Sequence, residues 1–270
     1  MTTDDAANTQ ARKAADFRAL HEGDPFVIPN PWDAGSARVF EALGFKALAT
    51  TSSAFAFTLG RLDGGVTLDE LAAHVKALAE ATSLPVSVDL ENGYGPDPEH
   101  AASAITRAAE AGAVGGSIED FDPAGHLYCL EHAEARIAAA RAAADALGFP
   151  FTLTARAENH IRGNPDLDDT IARLQAYERA GADVVYAPGL RNGKEIRAIA
   201  DATSKPLNVL AHKGLSMQEI VEAGGTRVSV GGALGWVAVA AMASAAEEIR
   251  DTGSFGSLNA KLPLEEWFGA

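Results

Sequence analysis

Eight short apolar runs, each followed by an Ala-rich helical pattern, recur along nearly the whole chain. The runs lie at 26–29, 47–51, 86–90, 114–118, 151–155, 184–187, 207–211 and 228–230. Helical patterns fill 34–42, 68–81, 98–111, 130–147, 167–180, 193–202 and 216–223. Such alternation predicts parallel strands, because a parallel pair needs a long crossover and a helix supplies it. The punctuation agrees. Leu43-Gly44-Phe45, Ala111-Gly112-Ala113, Ala180-Gly181-Ala182 and Ala223-Gly224-Gly225 each predict a helix C-cap followed by strand entry. Eight such units in 270 residues predict an α/β protein, a (β/α)8 TIM barrel occupying residues 1–270 as one domain. The rival, a doubly wound open sheet, usually has fewer strands and a Gly-x-Gly-x-x-Gly turn, and no such turn occurs here. A helix over about 8–21 precedes the first strand and is expected at the barrel bottom. The segment 235–250 predicts a C-terminal helical extension, Ala-rich and with little polar surface until its end. Such a face calls for cover, so helices from about 235 are expected in oligomer contacts, in a homotetramer or homodimer.

Charge and composition narrow the partners. A net charge of −15 argues against nucleic acid, which calls for a basic face. It does not exclude anionic substrates, since a bound metal and one Arg reverse the local sign. The single cysteine, Cys129, rules out an intramolecular disulfide framework and fits a reducing cytoplasm. The acidic N-terminus has no apolar core of a signal peptide, and the longest apolar stretch, at 235–243, is too short for a membrane span. A cytoplasmic protein acting on small molecules, without a membrane or nucleic-acid partner, is the expectation.

The chemistry gathers where predicted strands end. Asp89 and Glu91 close the third run, Glu119 and Asp120 the fourth, and Arg156 the fifth. In a parallel barrel those ends meet on one rim. Carboxylates and a guanidinium crowded there either pair with one another or share the space with a cation and an anionic substrate. Residues two apart on a strand face the same side, so Asp89 and Glu91 are expected to face the mouth together. Asn92-Gly93-Tyr94-Gly95 then turns sharply, with Tyr94 expected to line the pocket. Oxygen ligands of this kind suit Mg²⁺, with Mn²⁺ as the substitute. The bland alternatives are an Asn92 helix cap, a Glu119–Asp120 salt bridge with Arg136, and an Arg156 paired with Glu119 or Glu158. Thr51, Ser52 and Ser53 end the second run, where hydroxyls and N–H groups can hold substrate oxygens or merely cap a loop. Thr67 with Glu70 forms a capping box, which leaves Asp63 free to face the waters of a metal.

In this order these residues resemble the isocitrate lyase/phosphoenolpyruvate mutase superfamily over roughly residues 20–235. The resemblance rests on Asn30-Pro-Trp-Asp-Ala-Gly-Ser-Ala37, Thr51-Ser-Ser53, Asp63, Asp89-x-Glu91-x-Gly-Tyr-Gly95, Ser117-Ile-Glu-Asp120, Thr154-Ala-Arg156 and Asn208-Val-Leu210. It implies a (β/α)8 barrel, commonly tetrameric with an exchanged C-terminal helix. It also implies Mg²⁺ and a 2-oxo acid or enolate substrate. Carried over, Asp89 would ligate the metal, with Asp63, Glu91 and Glu119 around it. Arg156 would bind the substrate carboxylate or the enolate oxygen. Thr51, Ser52, Ser53, Trp32, Tyr94 and Asn208 would complete the substrate site.

Two departures matter. The Lys-Lys/Arg-Cys-Gly-His loop of the superfamily's lyases is absent, and the Lys with Asn or Thr of its phosphonate enzymes is absent too. The chain instead reads Phe121-Asp-Pro-Ala-Gly-His-Leu-Tyr-Cys129. Glu91 is longer than the Asp usual at its place. Cys129, at the entry to the next helix, reads as a small buried hydrophobe. His126 is the first choice of proton source, with Tyr128, His160, Tyr186 and His212 as rivals. The resemblance then implies a Mg²⁺-dependent lyase that cleaves a C–C bond in a small 2-oxo or 2-hydroxy dicarboxylate. P–C bond chemistry and a non-catalytic, metal-dependent binder of 2-oxo acids are the alternatives.

Overall fold

The computed structural model describes residues 3–269; residues 1, 2 and 270, the ends of the expected domain, lie outside the described residues. The chain begins with helix α1 (Thr3–Leu20), strand β1 (Phe26–Ile28), α2 (Ala34–Ala42) and β2 (Leu48–Ala49). Helices α3 (Ser52–Thr58) and α4 (Leu68–Ala81) precede β3 (Val86–Asp89), α5 (Pro98–Glu110) and β4 (Gly115–Glu119). A hairpin of β5 (Phe121–Asp122) and β6 (His126–Leu127) leads to α6 (Leu130–Asp145). Then come β7 (Thr152–Arg156), α7 (Leu167–Arg179), β8 (Val184–Tyr186), α8 (Gly193–Ala202), β9 (Leu207–Leu210), α9 (Met217–Glu222) and β10 (Arg227–Ser229). The chain finishes with α10 (Ala233–Thr252) and α11 (Leu264–Phe268). Eight strands pair in parallel in the order β1-β10-β9-β8-β7-β4-β3-β2. The Ala49 N–H donates to the Pro29 carbonyl at 3.1 Å and joins the two edges, so the barrel expected from the sequence forms.

The helix ends follow the predicted punctuation. At the end of α5, Gly112 takes φ +101° and its N–H donates to the Ala109 carbonyl. The Ala113 N–H then reaches back to Ala108. This paired closure satisfies the last carbonyls and turns the chain into β4. The same pattern recurs at Gly44, Gly181 and Gly224. At the other end of a helix, Thr67 and Glu70 form the expected capping box of α4.

Register and tilt carry the fold into the site. Glu119 pairs with Arg156, Arg156 with Tyr186, Tyr186 with Asn208, and Asn208 with Arg227. Glu119 and Arg156 are the last residues of their strands, whereas Arg227 is the first of its own. Because barrel strands are staggered, one register row descends from the rim to the floor. Helix α1 plugs that floor, as expected. Phe17 and Ala14 are fully buried with Ile28, Ala47 and Val114. Gly115 makes room for the plug, since a Cβ there would lie 2.7 Å from Phe17 and 2.9 Å from the Thr152 carbonyl.

Three elements have no counterpart in the sequence expectation: α3, the β5–β6 hairpin and α11. Each is short, and each is held by tertiary contacts. Among the described residues, no helix is long and apolar enough to cross a membrane. Replacing Gly115 by Ala is predicted to overpack the plug and cost about 1–3 kcal/mol, read as a lower urea midpoint with an unchanged m-value. An unchanged midpoint would show that α1 does not seat there as tightly as described.

Candidate active site

A cavity of about 220 Å³ opens among the strand ends. It is smaller than the roughly 300–1,000 Å³ typical of drug-sized sites, and so suits a ligand of few heavy atoms. Asp63, Asp89 and Arg156 line it, as do Thr51, Ser52 and Ser53. Strand β7 delivers Arg156 opposite Glu119 of β4. The Arg156 Nη1 lies 3.3 Å from Glu119 and 3.6 Å from Asp89, and its Nε bonds Glu158. Arg162 reaches back to Glu119 at 3.3 Å and to Glu158 at 2.9 Å. The two bland expectations for Arg156, pairing with Glu119 and with Glu158, are both realised, yet the guanidinium still lines the cavity. Burial acts to lower its pKa, but Glu119, Glu158 and Asp89 hold it well above the ordinary value.

Glu91 reaches the site by a different route from the strand alternation expected of it. Strand β3 stops at Asp89, and Glu91 takes φ +48°, left-handed and unusual for a residue with a side chain. Its N–H donates to Asp89 Oδ1, and its carbonyl accepts from the Glu119 N–H at 2.9 Å. Its Oε1 is buried without a hydrogen-bond partner. Burial, reinforced by Asp89 and Asp63, pushes the Glu91 carboxyl up to about 8. Burial also lifts Glu119 above the usual carboxylate range, against the pull of Arg156. Tyr94 follows at φ +63°; it is half-buried beside these acids, outside the cavity lining, and burial then Glu91 raise its phenol further. Asn92 is not a helix cap: its Oδ1 accepts from the Tyr94 N–H and its Nδ2 donates to Tyr128.

Among the described residues, no three His, Cys, Asp or Glu side chains converge closely enough to hold a metal by themselves. The expected set Asp89, Glu91 and Glu119 is therefore not a closed cage, because Arg156 stands between Asp89 and Glu119. The donor chemistry still fits a hard cation. Two carboxylates, Asp63 and Asp89, line the cavity, where such a cation would take one oxygen directly and keep waters toward the rest. The unpartnered Glu91 oxygen is the kind of acceptor such a water would satisfy.

The remaining expected residues divide. Thr51 is the N-cap residue of α3 but makes no side-chain cap bond, so its hydroxyl faces Ser53 at 3.3 Å. Asn208 lines the cavity and is 1% exposed. Trp32 does not line it, because the close approach of Gly235 in α10 packs against the indole. His126 is exposed on the hairpin, edge-on to Tyr128 at 6.1 Å, and lies outside the cavity lining. The hairpin carries it outward. Tyr128 is tied to Asp122 at 2.9 Å, and His160 and His212 stand elsewhere. Of the five proton sources considered, Tyr186 lines the cavity, stacked 5.4 Å from the Arg156 guanidinium. Cys129 is exposed at the start of α6, not buried as expected, because the hairpin ends there and turns its side chain outward. Asp120 pairs with Arg173 at 3.0 Å and Tyr177 at 2.6 Å rather than with Arg136. Arg136 instead donates to the Gly95 and Asn92 carbonyls of the turn.

Sequence reasoning missed Arg162 and Arg227, and named Glu158 only as a pairing partner of Arg156. Glu158 stood two residues past Arg156, within sight as a pairing partner. Arg227 offered one signal, a charge at the head of an otherwise apolar strand.

The family profile for phosphoenolpyruvate phosphomutase matches residues 17–250. The chain belongs to the phosphoenolpyruvate phosphomutase family. It thus lies in the isocitrate lyase/phosphoenolpyruvate mutase superfamily and is an enzyme of the lyase/mutase kind. A solved protein of Burkholderia cenocepacia J2315, named only provisionally as a lyase/mutase, is 50% identical, with a TM-score of 0.94 over 97% of this chain and 98% of that one. A 2-methylisocitrate lyase of Halalkalibacterium halodurans is 32% identical over 74% of this chain and 67% of its own. An oxaloacetate decarboxylase of Rhodopseudomonas palustris is 33% identical over 71% and 68%.

The raised Glu91 pKa sets the sign of a pH dependence. Between the ordinary carboxyl pKa of about 4.3 and about 8, the metal-free folded protein holds a proton that the unfolded chain releases. That stability is present at low pH and is lost as pH rises through about 8. Thermal unfolding in EDTA should therefore show a lower Tm near pH 9 than near pH 6. Glu91→Gln should flatten the fall; a fall as steep as in the wild type would count against a neutral, buried Glu91.

Proposed function

We propose that this protein is a divalent-metal-dependent lyase that cleaves a C–C bond in a small 2-oxo or 2-hydroxy dicarboxylate through an enolate. Decarboxylation of oxaloacetate is the simplest case. The observation that carries this reading is Arg156 lining a 220 Å³ cavity between Asp89 and Glu119, beside the unpartnered oxygen of Glu91. Asp89 would hold Mg²⁺ or Mn²⁺ directly, with Asp63, Glu91 and Glu119 on its waters. The bound cation supplies Lewis-acid polarisation of the 2-oxo group.

The residues of the chain account for the rest. Arg156 presents a planar fork to a carboxylate or to the oxygen on which negative charge develops as the C–C bond breaks. Its ion pairs to Glu119 and Glu158 pre-set its orientation, so little reorganisation accompanies the charge. Thr51, Ser52 and Ser53 supply hydroxyl and N–H donors across the cavity. In decarboxylation the bonding pair passes to the enolate as CO₂ leaves, and a proton then goes to the carbon. Tyr186, a neutral phenol hydrogen-bonded to Ser229, is the side chain placed to give that proton, with water as the substitute. The similarity to an oxaloacetate decarboxylase and a 2-methylisocitrate lyase supports this substrate class. The binder alternative draws on one observation, that no residue of the 121–129 segment lines the cavity.

The test is a turnover panel of 2-oxo and 2-hydroxy dicarboxylates and phosphonopyruvate, each with Mg²⁺ and with EDTA. Metal-dependent pyruvate release from oxaloacetate is expected. Asp89→Ala should abolish it, and Arg156→Lys should lower kcat by about 10²–10³-fold. Phosphate release from phosphonopyruvate would favour P–C chemistry, and tight Mg²⁺-dependent binding without turnover would favour the binder. Full metal-dependent turnover in Asp89→Ala would defeat the assignment.

Self-association is part of the same proposal. Of α10 only Gly235 is buried, and Val237 and Met242 are 66% and 61% exposed. Light scattering of the purified protein should give a dimer or tetramer, and a monomer at micromolar concentration would refute it.

A further inference from the structure

Beneath the cavity lies a cation that the proposed reaction does not use. Arg227 is 5% exposed and contributes to the cavity lining from the first position of β10. Its Nε donates to Asn208 Oδ1 at 2.8 Å, and its Nη2 donates to Thr154 Oγ1 at 2.9 Å. Its Nη1 lies 3.1 Å from His21 Nε2 of the α1 plug. Burial, then Arg227 itself, lowers His21 to about 3, so the ring is neutral. A guanidinium has only donors, so Nε2 accepts, and the ring proton sits on Nδ1, 2.8 Å from the Phe17 carbonyl. Every partner of Arg227 is therefore neutral. Among the described residues it forms no ion pair, unlike Arg156, Arg162 and Arg173. Burial lowers its pKa to about 10, still far above neutrality, so it stays charged.

A buried, unpaired guanidinium is costly, because desolvation of the charge is offset only by neutral acceptors. Plugging and packing alone would be served as well by an apolar side chain. Arg227 also decides which way Asn208 faces. Its Nε–H occupies the amide oxygen, so the amide must turn its NH₂ elsewhere. That NH₂ donates to Ser229 at 3.0 Å, and both residues line the cavity. The floor therefore offers hydrogen-bond donors over a positive charge.

We infer that Arg227 is a specificity-determining and positioning residue: it holds Asn208 as a donor and makes the cavity floor a seat for a second anionic group of the substrate, a carboxylate in the first instance. The inference rests on the proposed reading and deepens it. The substrate is a dianion with one charged end at Arg156 on the rim and the other toward Asn208 and Arg227 at the floor. Compounds ending in a hydroxymethyl or an amide could still accept a hydrogen bond there but would bring no negative charge to the guanidinium.

The experiment compares wild type with Arg227→Met, which removes the charge at similar length, and Arg227→Lys, which keeps it without the fork. Binding of malonate and of acetate is titrated calorimetrically, with Mg²⁺ and with EDTA. The inference expects the malonate Kd to rise at least about tenfold in Arg227→Met, a loss of about 1.4 kcal/mol, with little change for acetate. Arg227→Lys should fall between the two, which keeps the question answerable if the Met variant does not fold. Where the enzyme turns over a dicarboxylate, KM should rise in both variants while kcat changes only a few-fold. Three outcomes overturn the inference: malonate binding unchanged in the variants, equal weakening of malonate and acetate, or no binding of malonate by the wild type. The comparison of Mg²⁺ with EDTA reads the metal-dependent reaction separately. Loss of that difference would sink the proposed function while leaving the Arg227 result standing.

Discussion

The parallel register between β4 and β7 is the constraint from which the site follows. It sets Glu119 against Arg156 as neighbours on adjacent strands, and the end of β3 and the turn after it add Asp89 and Glu91 to the same corner. A guanidinium among carboxylates of three chain segments is stable only because each charge finds its opposite at short range. Shift one strand by a single residue and every interior side chain changes face, leaving the charges buried and unpaired. The ion network thus depends on the barrel register, and it also tells against any other one.

The barrel interior departs from the apolar layers usual in this architecture. Serines, threonines and asparagine line it, Arg227 stands beneath them, and α1 seals the bottom. The apolar core lies instead between the strands and the helix ring, where Val88, Leu153, Val185 and Val209 face Ala-rich helices. The division has a physical logic. Small side chains on the helices let them approach the strands closely, so stability resides in the outer layer and the interior is left free to be polar.

Much of this was legible in the chain. The glycine punctuation and the alternating patterns located all eight barrel strands to within a few residues, because each rests on local rules of helix closure and strand entry. Arg156, Asp89 and the Thr51–Ser53 segment could be placed at the mouth, since strand ends converge there in any parallel barrel, and Asp63 was left free for it by the Thr67–Glu70 capping box. The β5–β6 hairpin was not legible, since two-residue strands carry no periodicity. That hairpin sends His126 and Cys129 outward, away from the chemistry their residue types suggested. Glu91 was expected at the mouth for the wrong local reason. Its left-handed backbone, and not strand alternation, brings it there.

The sequence by itself determined the eight βα units, and with them the barrel and the rim on which acids and Arg156 meet, because periodicity and caps act over a few neighbours. Only the tertiary structure decided which charges pair and which stay alone. Arg156 finds three carboxylates and Arg227 finds none, although both are single arginines at the edge of an apolar run. The difference arises from stagger: one register row leaves Arg156 at the rim among acids and takes Arg227 to the floor among neutral groups. No local pattern encodes that descent, because it is a property of the closed barrel.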